Sequence, residues 1–298
     1  MSKKVPFKNS FDKAKRFDAW SNRFIWFSAI LFLTVFVWEL FSPNSTIIQW
    51  IERLNCIVIV FYIVLEFVTD CIHSSAETHR RCDLVDNAFG CKLAESRSEG
   101  YYTNDELKND LYKIGINSFE SCFFSYKIAS KAQCMLWLKS ALFAVLFIIC
   151  AVIGYDKGIV IIIQLSLPIF VISQAIKHQR FVSRLKKIYE NYRSVFDTLR
   201  NEKSISQNDY AKIAKEVLEY EGTISWANIL LDEKIYNKMN EVLSKEWELI
   251  KQEYKVISQR FSPNQIEWRH GAGDFKDCDN HFRPFGICHQ KKSRIGGS

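Results

Sequence analysis

This chain has little proline and glycine, and it contains no recognisable catalytic motif. Only 5 prolines and 11 glycines occur among 298 residues, without the regular turn signals of a β protein, which favours a nearly all-helical fold. A phosphate-binding glycine-rich loop, a zinc-protease helix and a Gly-x-Ser-x-Gly elbow are all missing. We therefore expect a protein that is not an enzyme and needs no cofactor.

Four long apolar runs dominate the sequence, at roughly residues 22–40, 47–68, 135–154 and 158–176. Each approaches the roughly 20 residues that a helix needs to cross about 30 Å of hydrocarbon. Very short connections join the first run to the second and the third to the fourth. In lipid an unbroken helix satisfies its own backbone hydrogen bonds. The sequence therefore predicts an all-α integral membrane protein with four transmembrane helices, arranged as two hairpins, and a cytoplasmic helical bundle.

The chain has a net charge of +7, and its basic residues are concentrated beside the apolar runs. They precede the first run and follow the second and the fourth, and they are scarce in the connections 41–46 and 155–157. Basic residues collect on the cytoplasmic side of a membrane protein. We expect a multi-pass membrane protein with both termini in the cytoplasm. Basic and stacking residues do not line one soluble face, so we expect no direct nucleic-acid binding.

The apolar runs also divide the chain. The first run is too long for a signal peptide and a second follows closely, so we interpret it as a retained anchor. In the polar parts we predict a helix that continues the second run to Leu84, a helix opened by Asp105, and helices at about 206–220 and 232–260. The predicted segments are a basic amphipathic arm (1–21), the first hairpin (22–68), a cytoplasmic helical linker (69–134), the second hairpin (135–176), a cytoplasmic bundle (177–261) and a polar tail (262–298).

A possible coiled-coil seam follows the fourth run. Its apolar residues recur at alternating steps of three and four, and they are Leu185, Ile188, Tyr192, Val195 and Leu199. This spacing is typical of the contact face between supercoiled helices. No glycine or proline separates the seam from the run, so the fourth helix should continue into the cytoplasm. We take these residues as oligomerisation candidates in a homo-oligomer, while packing within one subunit explains the pattern equally well.

Polar residues inside or at the ends of the apolar runs are candidates for lining a conducting path, because they are costly in lipid and tend to be functional. The pore-lining candidates are Glu39, Glu66, Gln164, Ser166 and Pro168. Pro168 would kink the fourth helix and free a carbonyl. The alternative for Glu39, Glu66 and Lys139 is that they are end residues reaching to the lipid headgroups.

A dense polar segment follows the second run. Arg80, Asp83 and Asn87 share a helix face, with Arg81 and Asp86 beside them. Arginine donates two parallel hydrogen bonds to phosphate, so these five residues are candidates for binding a phosphate-bearing trigger. The alternative is an ion-paired helix end that Gly90 closes.

The polar tail contains Cys278, His281, Cys288 and His289. Their spacing does not match the paired knuckles of structural zinc sites. We therefore expect no bound metal.

Three strings carry a resemblance to a known group of proteins: His79-Arg-Arg-Cys-Asp-Leu-Val-Asp-Asn-Ala-Phe-Gly, Gly100-Tyr-Tyr-Thr-Asn-Asp and Asn117-Ser-Phe-Glu-Ser-Cys-Phe-Phe. They resemble bacterial four-span proteins encoded as pore-forming effectors in anti-phage defence loci, including cyclic-oligonucleotide (CBASS) systems. The likeness covers residues 22–200 in layout and only these strings in detail. It implies a membrane-permeabilising effector of antiviral defence by abortive infection, silent until a nucleotide second messenger or a protein partner opens it.

The function expected from the sequence is therefore an oligomeric membrane effector that forms or gates a pore, or ion channel, on a cytoplasmic trigger. The alternative is a membrane-anchored scaffold or signalling protein that recruits a cytoplasmic partner without conducting.

Overall fold

The computed structural model describes residues 7–41, 46–94, 98, 101–102, 104–153, 158–202 and 204–256, apart from the side chains of residues 39–40, 146–147, 150–153 and 158–168. Within these residues the chain forms helices and no strand, so the predicted all-α class is confirmed for the described part. The helices are α1 (Lys8–Phe41), α2 (Thr46–Phe89), α3 (Leu111–Ile153), α4 (Gly158–Leu199), α5 (Gln207–Ala227) and α6 (Glu233–Glu253).

The long helices exceed the thickness of a membrane. α2, α3 and α4 contain 44, 43 and 42 residues, and at a rise of about 1.5 Å per residue each extends over about 65 Å. The hydrocarbon core of a bilayer is only about 30 Å thick. Each helix therefore continues from an apolar run into a polar segment, and the predicted continuity of the fourth helix is confirmed through Pro168 to Leu199.

Four helix boundaries differ from the prediction, and the first is the end of α2, which continues beyond Leu84 to Phe89. The third helix begins at Leu111 and not at Asp105, since the Asp110 carboxylate accepts hydrogen bonds from the backbone N–H groups of Tyr112 and Lys113 at 2.8 and 3.0 Å. A side chain that accepts these otherwise unpaired donors fixes the start of a helix. α6 ends at Glu253, where Lys255 follows with φ +49°. α5 continues to Ala227, beyond its predicted end.

The polar halves of the long helices pack with α5 and α6 around one apolar core, with α3 in the middle. The Phe119 ring stacks on Tyr192 and Phe196 at centroid distances of 5.2 and 5.3 Å. Trp247 of α6 meets Phe119 edge-on at 5.2 Å and is only 2% exposed. Aromatic contacts of this geometry add to the stabilisation from burial alone.

A smaller core joins the apolar halves of the first four helices. Ile25 and Ala29 of α1, Ile59 and Tyr62 of α2, Phe143 of α3 and Val171 of α4 pack together. Trp26 contacts Phe143 with ring centroids 5.5 Å apart, and Tyr62 meets Phe170 edge-on at 5.4 Å. The two predicted hairpins therefore pack against each other along their apolar segments.

Outside this smaller core, the same segments expose large apolar side chains. They occur on α1 and α2 between residues 17 and 67, on α3 between 135 and 149, and on α4 between 169 and 176, and they include Ile30, Val60, Phe67, Leu138 and Ile169, each more than half exposed. We call this exposed surface the apolar belt. Soluble monomers rarely expose so much contiguous apolar surface, which is typical of a membrane or protein contact.

Two described helices are long and apolar enough to cross a membrane, at Lys8–Trp38 and Thr46–Phe89. Only 33% and 28% of their apolar windows are buried, whereas the core helix of a soluble protein is mostly buried. By this criterion the structure supports two of the four predicted spans. The third and fourth apolar runs lie in α3 and α4, where part of the side chains is outside the described residues.

A close approach between α3 and α5 gives a test of the packing of these two helices. A Cβ atom at Gly115 would collide with the side chain of Ile213. We expect Gly115→Ala to lower the free energy of unfolding by about 1–3 kcal/mol through overpacking. The measurement is urea unfolding in detergent, followed by helical circular dichroism.

Gly222→Ala is the matched control, because nothing lies within 4 Å of a Cβ at this position on α5. Alanine there should raise the free energy of unfolding by about 0.5–1 kcal/mol through its better helix propensity. Equal effects of the two changes would contradict the observed packing of α3 on α5.

Candidate functional site: a polar seam along α2

The second half of α2 carries a row of polar side chains at steps of three or four residues, so they share one face of the helix. The row consists of His73, Glu77, Arg80, Asp83, Asp86 and Asn87, and all except the half-buried Asn87 are buried. We call this row, with its partners on α3, on α5 and in the residues after α2, the polar seam. Burying a polar group costs free energy unless it is paired. Each buried member of the row therefore needs a hydrogen-bond or ion-pair partner.

Arg80 is at the centre of the polar seam, between two carboxylates. Its Nε donates to Glu77 at 2.8 Å within α2, and its Nη2 donates to Glu221 of α5 at 2.6 Å. Burial alone would lower the pKa of Arg80, but the charges of Glu221 and Glu77 outweigh burial and raise it well above its usual value. Arg80 therefore stays charged and holds α5 against α2.

Arg81 lies near the same carboxylate without donating a hydrogen bond to it, and Tyr102 is a further buried group that the charges of Arg80 and Glu221 affect. Arg81 Nε lies 3.6 Å from Glu221 Oε2, beyond hydrogen-bond distance. In the described part of the chain, Arg81 Nε, Glu221 Oε1 and the Tyr102 hydroxyl are buried and make no hydrogen bond. Burial raises the pKa of Tyr102, and the nearby charges of Arg80 and Glu221 act on it in opposite directions.

His73 makes the second contact between α2 and α5. Its Nδ1 lies 2.6 Å from Asn228 Oδ1, and the Asn228 amide donates to the Asp70 carboxylate at 3.0 Å. Asn228 is the C-cap of α5 in the left-handed conformation, with φ 46°, which asparagine tolerates well. Phe11 of α1 packs edge-on against the His73 ring at 5.4 Å. The predicted amphipathic arm therefore contacts the polar seam through α1.

Asp83 and Asp86 hold the segment that follows α2. Asp83 accepts a hydrogen bond from the backbone N–H of Ser98 at 2.8 Å. Asp86 accepts from the N–H groups of Leu93 and Ala94 at 2.7 and 2.8 Å. Gly90 ends α2 with φ +70°. This agrees with the alternative prediction that the segment is an ion-paired helix end closed by Gly90. These two trigger candidates thus bind the backbone of their own chain.

Asn87 belongs to a chain of amides between α2 and α3. It accepts from Asn117 at 2.8 Å, and Asn104 donates to Asn117 and to Glu120 at 2.9 Å each. The three strings that carry the family resemblance meet here. The sequence did not predict that Asn104, Asn117, Glu221 and Asn228 would be partners of the polar residues of α2. The one hint in the sequence was that Asn104 and Asn117 belong to those strings.

Of the pore-lining candidates, the structure describes the side chain of Glu66 alone. Glu66 accepts a hydrogen bond from Ser21 at 2.5 Å, and Lys139 donates to Asn22 at 3.0 Å. The side chains of Glu39, Gln164, Ser166 and Pro168 lie outside the described residues.

A polar contact that the sequence did not predict lies between the apolar halves of α1 and α2. Ser28 donates to Asn55 at 2.6 Å, and both are buried. This bond contributes to holding the first hairpin together where apolar packing dominates.

The oligomerisation candidates lie within their own chain. Leu185, Ile188, Tyr192 and Leu199 are buried in the core around Phe119, and Val195 packs against it. Packing within one subunit is therefore what the structure shows for this seam. The candidates Cys278, His281, Cys288 and His289 lie outside the described residues, among which no three His, Cys, Asp or Glu side chains could hold a metal ion.

The Arg80 network gives a stability test. We expect Arg80→Met to lower the free energy of unfolding by about 3–5 kcal/mol, because Glu77 and Glu221 would remain buried without a cation. Adding Glu77→Gln and Glu221→Gln should recover part of the loss. Lys245→Met is the control, since its pair with Glu241 is 75% and 83% exposed and should matter by less than about 0.5 kcal/mol. Similar losses for both variants in urea unfolding would contradict a buried network.

No known protein family, curated protein or solved structure matches this chain.

Proposed function

We propose that the protein spans the bacterial inner membrane four times, with both termini in the cytoplasm. The apolar belt supports this topology, because it covers the outside of all four long helices at the level of the smaller core. The polar halves of α2, α3 and α4 then lie together on one side, with α5 and α6 packed on them. The basic residues that precede the first apolar run and follow the fourth agree with that side being the cytoplasm.

On this topology the protein acts as an oligomeric effector that permeabilises the membrane on a cytoplasmic trigger. The observation that carries this proposal is that α2 is one unbroken helix from the apolar belt to the polar seam. A shift of α2 at Arg80 would therefore move its apolar half in the bilayer. Buried contacts with two alternative arrangements are the usual elements of such switches.

The smaller core determines where an ion-conducting path could form in one subunit. Ile25, Ile59 and Phe143 fill the space between the helices at the level of the apolar belt. A conducting path in the proposed effector would therefore form between subunits or after the two hairpins separate. The same packing favours the second candidate function, a non-conducting scaffold that holds a cytoplasmic partner at the membrane.

Leakage from liposomes separates the two functions. We expect wild-type protein to retain an entrapped dye, and Glu221→Gln to release it, because the variant removes the carboxylate by which α5 holds Arg80. Glu253→Gln is the matched control, as Glu253 pairs with Arg193 in a half-exposed contact away from α2. Retention of dye by all three proteins at every protein-to-lipid ratio would favour the scaffold.

Thiol labelling tests the topology. Cys71 and Cys134 are exposed and lie beside the cytoplasmic ends of the second and third apolar runs. A membrane-impermeant maleimide should therefore label the wild-type protein only after the cells are permeabilised. An Asn44→Cys variant should be labelled in intact spheroplasts. Labelling of the wild type in intact spheroplasts, or none of Asn44→Cys, would exclude the proposed orientation.

A further inference from the structure

Two guanidinium groups converge on one carboxylate oxygen in the polar seam. Arg80 Nη2 donates to Glu221 Oε2 at 2.6 Å, and Arg81 Nε lies 3.6 Å from the same atom. Among the residues that the structure describes, neither the Arg81 Nε nor the second oxygen of Glu221 makes a hydrogen bond, and both atoms are buried. Such groups carry a desolvation cost that no partner offsets. The carboxylate therefore occupies a position for an anion without satisfying the donors around it.

Tyr102 is a candidate for a third donor. It is 5% exposed, its hydroxyl makes no hydrogen bond in the described part of the chain, and the charges of Arg80 and Glu221 act on its pKa. A terminal phosphate group is tetrahedral and has three acceptor oxygens, one more than a carboxylate. It can accept from Arg80 and Arg81 and still offer an oxygen to a third donor such as Tyr102.

We propose that this position is an exchangeable anion site, where a phosphate group of a soluble ligand replaces the carboxylate of Glu221. The charges favour the exchange. A terminal phosphate group carries a charge of about −1.5 to −2 at pH 7, so it neutralises Arg80 and Arg81 at least as fully as the carboxylate of Glu221 does. The Arg81 side chain is 35% exposed, so one side of the site reaches the surface.

The distance from the membrane favours a soluble ligand over a lipid. Arg81 lies 13 residues after the predicted end of the second apolar run at residue 68, which along a helix is about 20 Å. The headgroup layer on each side of the hydrocarbon is only about 5–8 Å thick. A lipid phosphate would have to leave that layer to reach Arg81.

The exchange also supplies the cytoplasmic trigger, and this part rests on the proposed function. Glu221 and Asn228 provide the described hydrogen bonds from the end of α5 to α2. A ligand that displaces Glu221 would leave the contact with Asn228 to hold α5 there. The apolar face of α5 would remain packed on α3 and α4 through Ile213, Val217 and Tyr220. The expected motion therefore separates α2 from α5 and leaves the rest of the bundle assembled.

Binding is tested on the full chain in detergent, with pyrophosphate and inorganic phosphate as probes and sodium chloride at equal ionic strength as the reference. Calorimetric titration should show pyrophosphate binding to the wild type and about tenfold tighter binding to Glu221→Gln, which lacks the competing carboxylate. Arg81→Gln and Tyr102→Phe should each bind about tenfold more weakly, as expected for the loss of one hydrogen bond to a charged group.

The controls separate binding from folding. The Tyr102 hydroxyl has no partner, so Tyr102→Phe should unfold at the same temperature as the wild type or higher. Arg193→Gln removes another arginine of the bundle, which contacts Tyr254 and Glu253, and it should leave pyrophosphate affinity unchanged.

Three outcomes would overturn the site. In the first, Glu221→Gln does not bind pyrophosphate. In the second, Arg81→Gln and Tyr102→Phe bind pyrophosphate as tightly as the wild type does. In the third, nanodiscs of phosphatidylglycerol compete with pyrophosphate and nanodiscs of phosphatidylcholine do not, which would assign the phosphate to a lipid.

The same variants separate the anion site from the effector function. Binding with the expected variant pattern but without dye release from liposomes would support the site and count against the effector function. Dye release without pyrophosphate binding would support the effector function and count against the site.

Discussion

The buried Arg80 is the constraint on which the arrangement of α2 and α5 depends. An arginine that is 7% exposed needs carboxylates close by, and the chain provides one from the same helix and one from α5, 141 residues away. This requirement places α5 against α2 and brings Arg81 to the same carboxylate. Removing either glutamate leaves a buried charge without a full complement of partners, whereas exchanging Glu221 for another anion does not.

α2 meets the other helices through contacts of two kinds. It contributes Leu84 and Ala88 to the aromatic and aliphatic core that α3, α4, α5 and α6 form around Phe119. It also meets α3 and α5 through charges and amides, from His73 to Asn87. Apolar packing is insensitive to small polar ligands, while a polar contact can be exchanged for another with a group of the same sign of charge. The polar seam is therefore the part of the fold that a soluble anion is best able to alter, and the unbroken α2 connects it to the apolar belt.

Much of the helical layout follows from local patterns. The apolar runs predict the four long helices, and the uninterrupted stretch from Gly158 to Leu199 predicts the continuity of α4. The predicted start of α3 was wrong by six residues, because aspartate is a good N-cap at either position and the structure uses Asp110 and not Asp105. Arg80, Asp83, Asp86 and Asn87 stood out in the sequence, but their roles did not, because Glu221, Asn117 and Asn228 are distant along the chain.

The sequence by itself determined the secondary structure and the separation of apolar from polar segments, because helix formation and burial depend on residue type and on spacing of three to four positions. Only the tertiary structure decided that the Leu185–Leu199 seam packs within the subunit and that Glu221 is the partner of Arg80. Both depend on which faces meet when six helices pack together. That geometry fixes which carboxylate pairs with a buried arginine. Local sequence patterns do not, because the chain contains many carboxylates in similar local contexts.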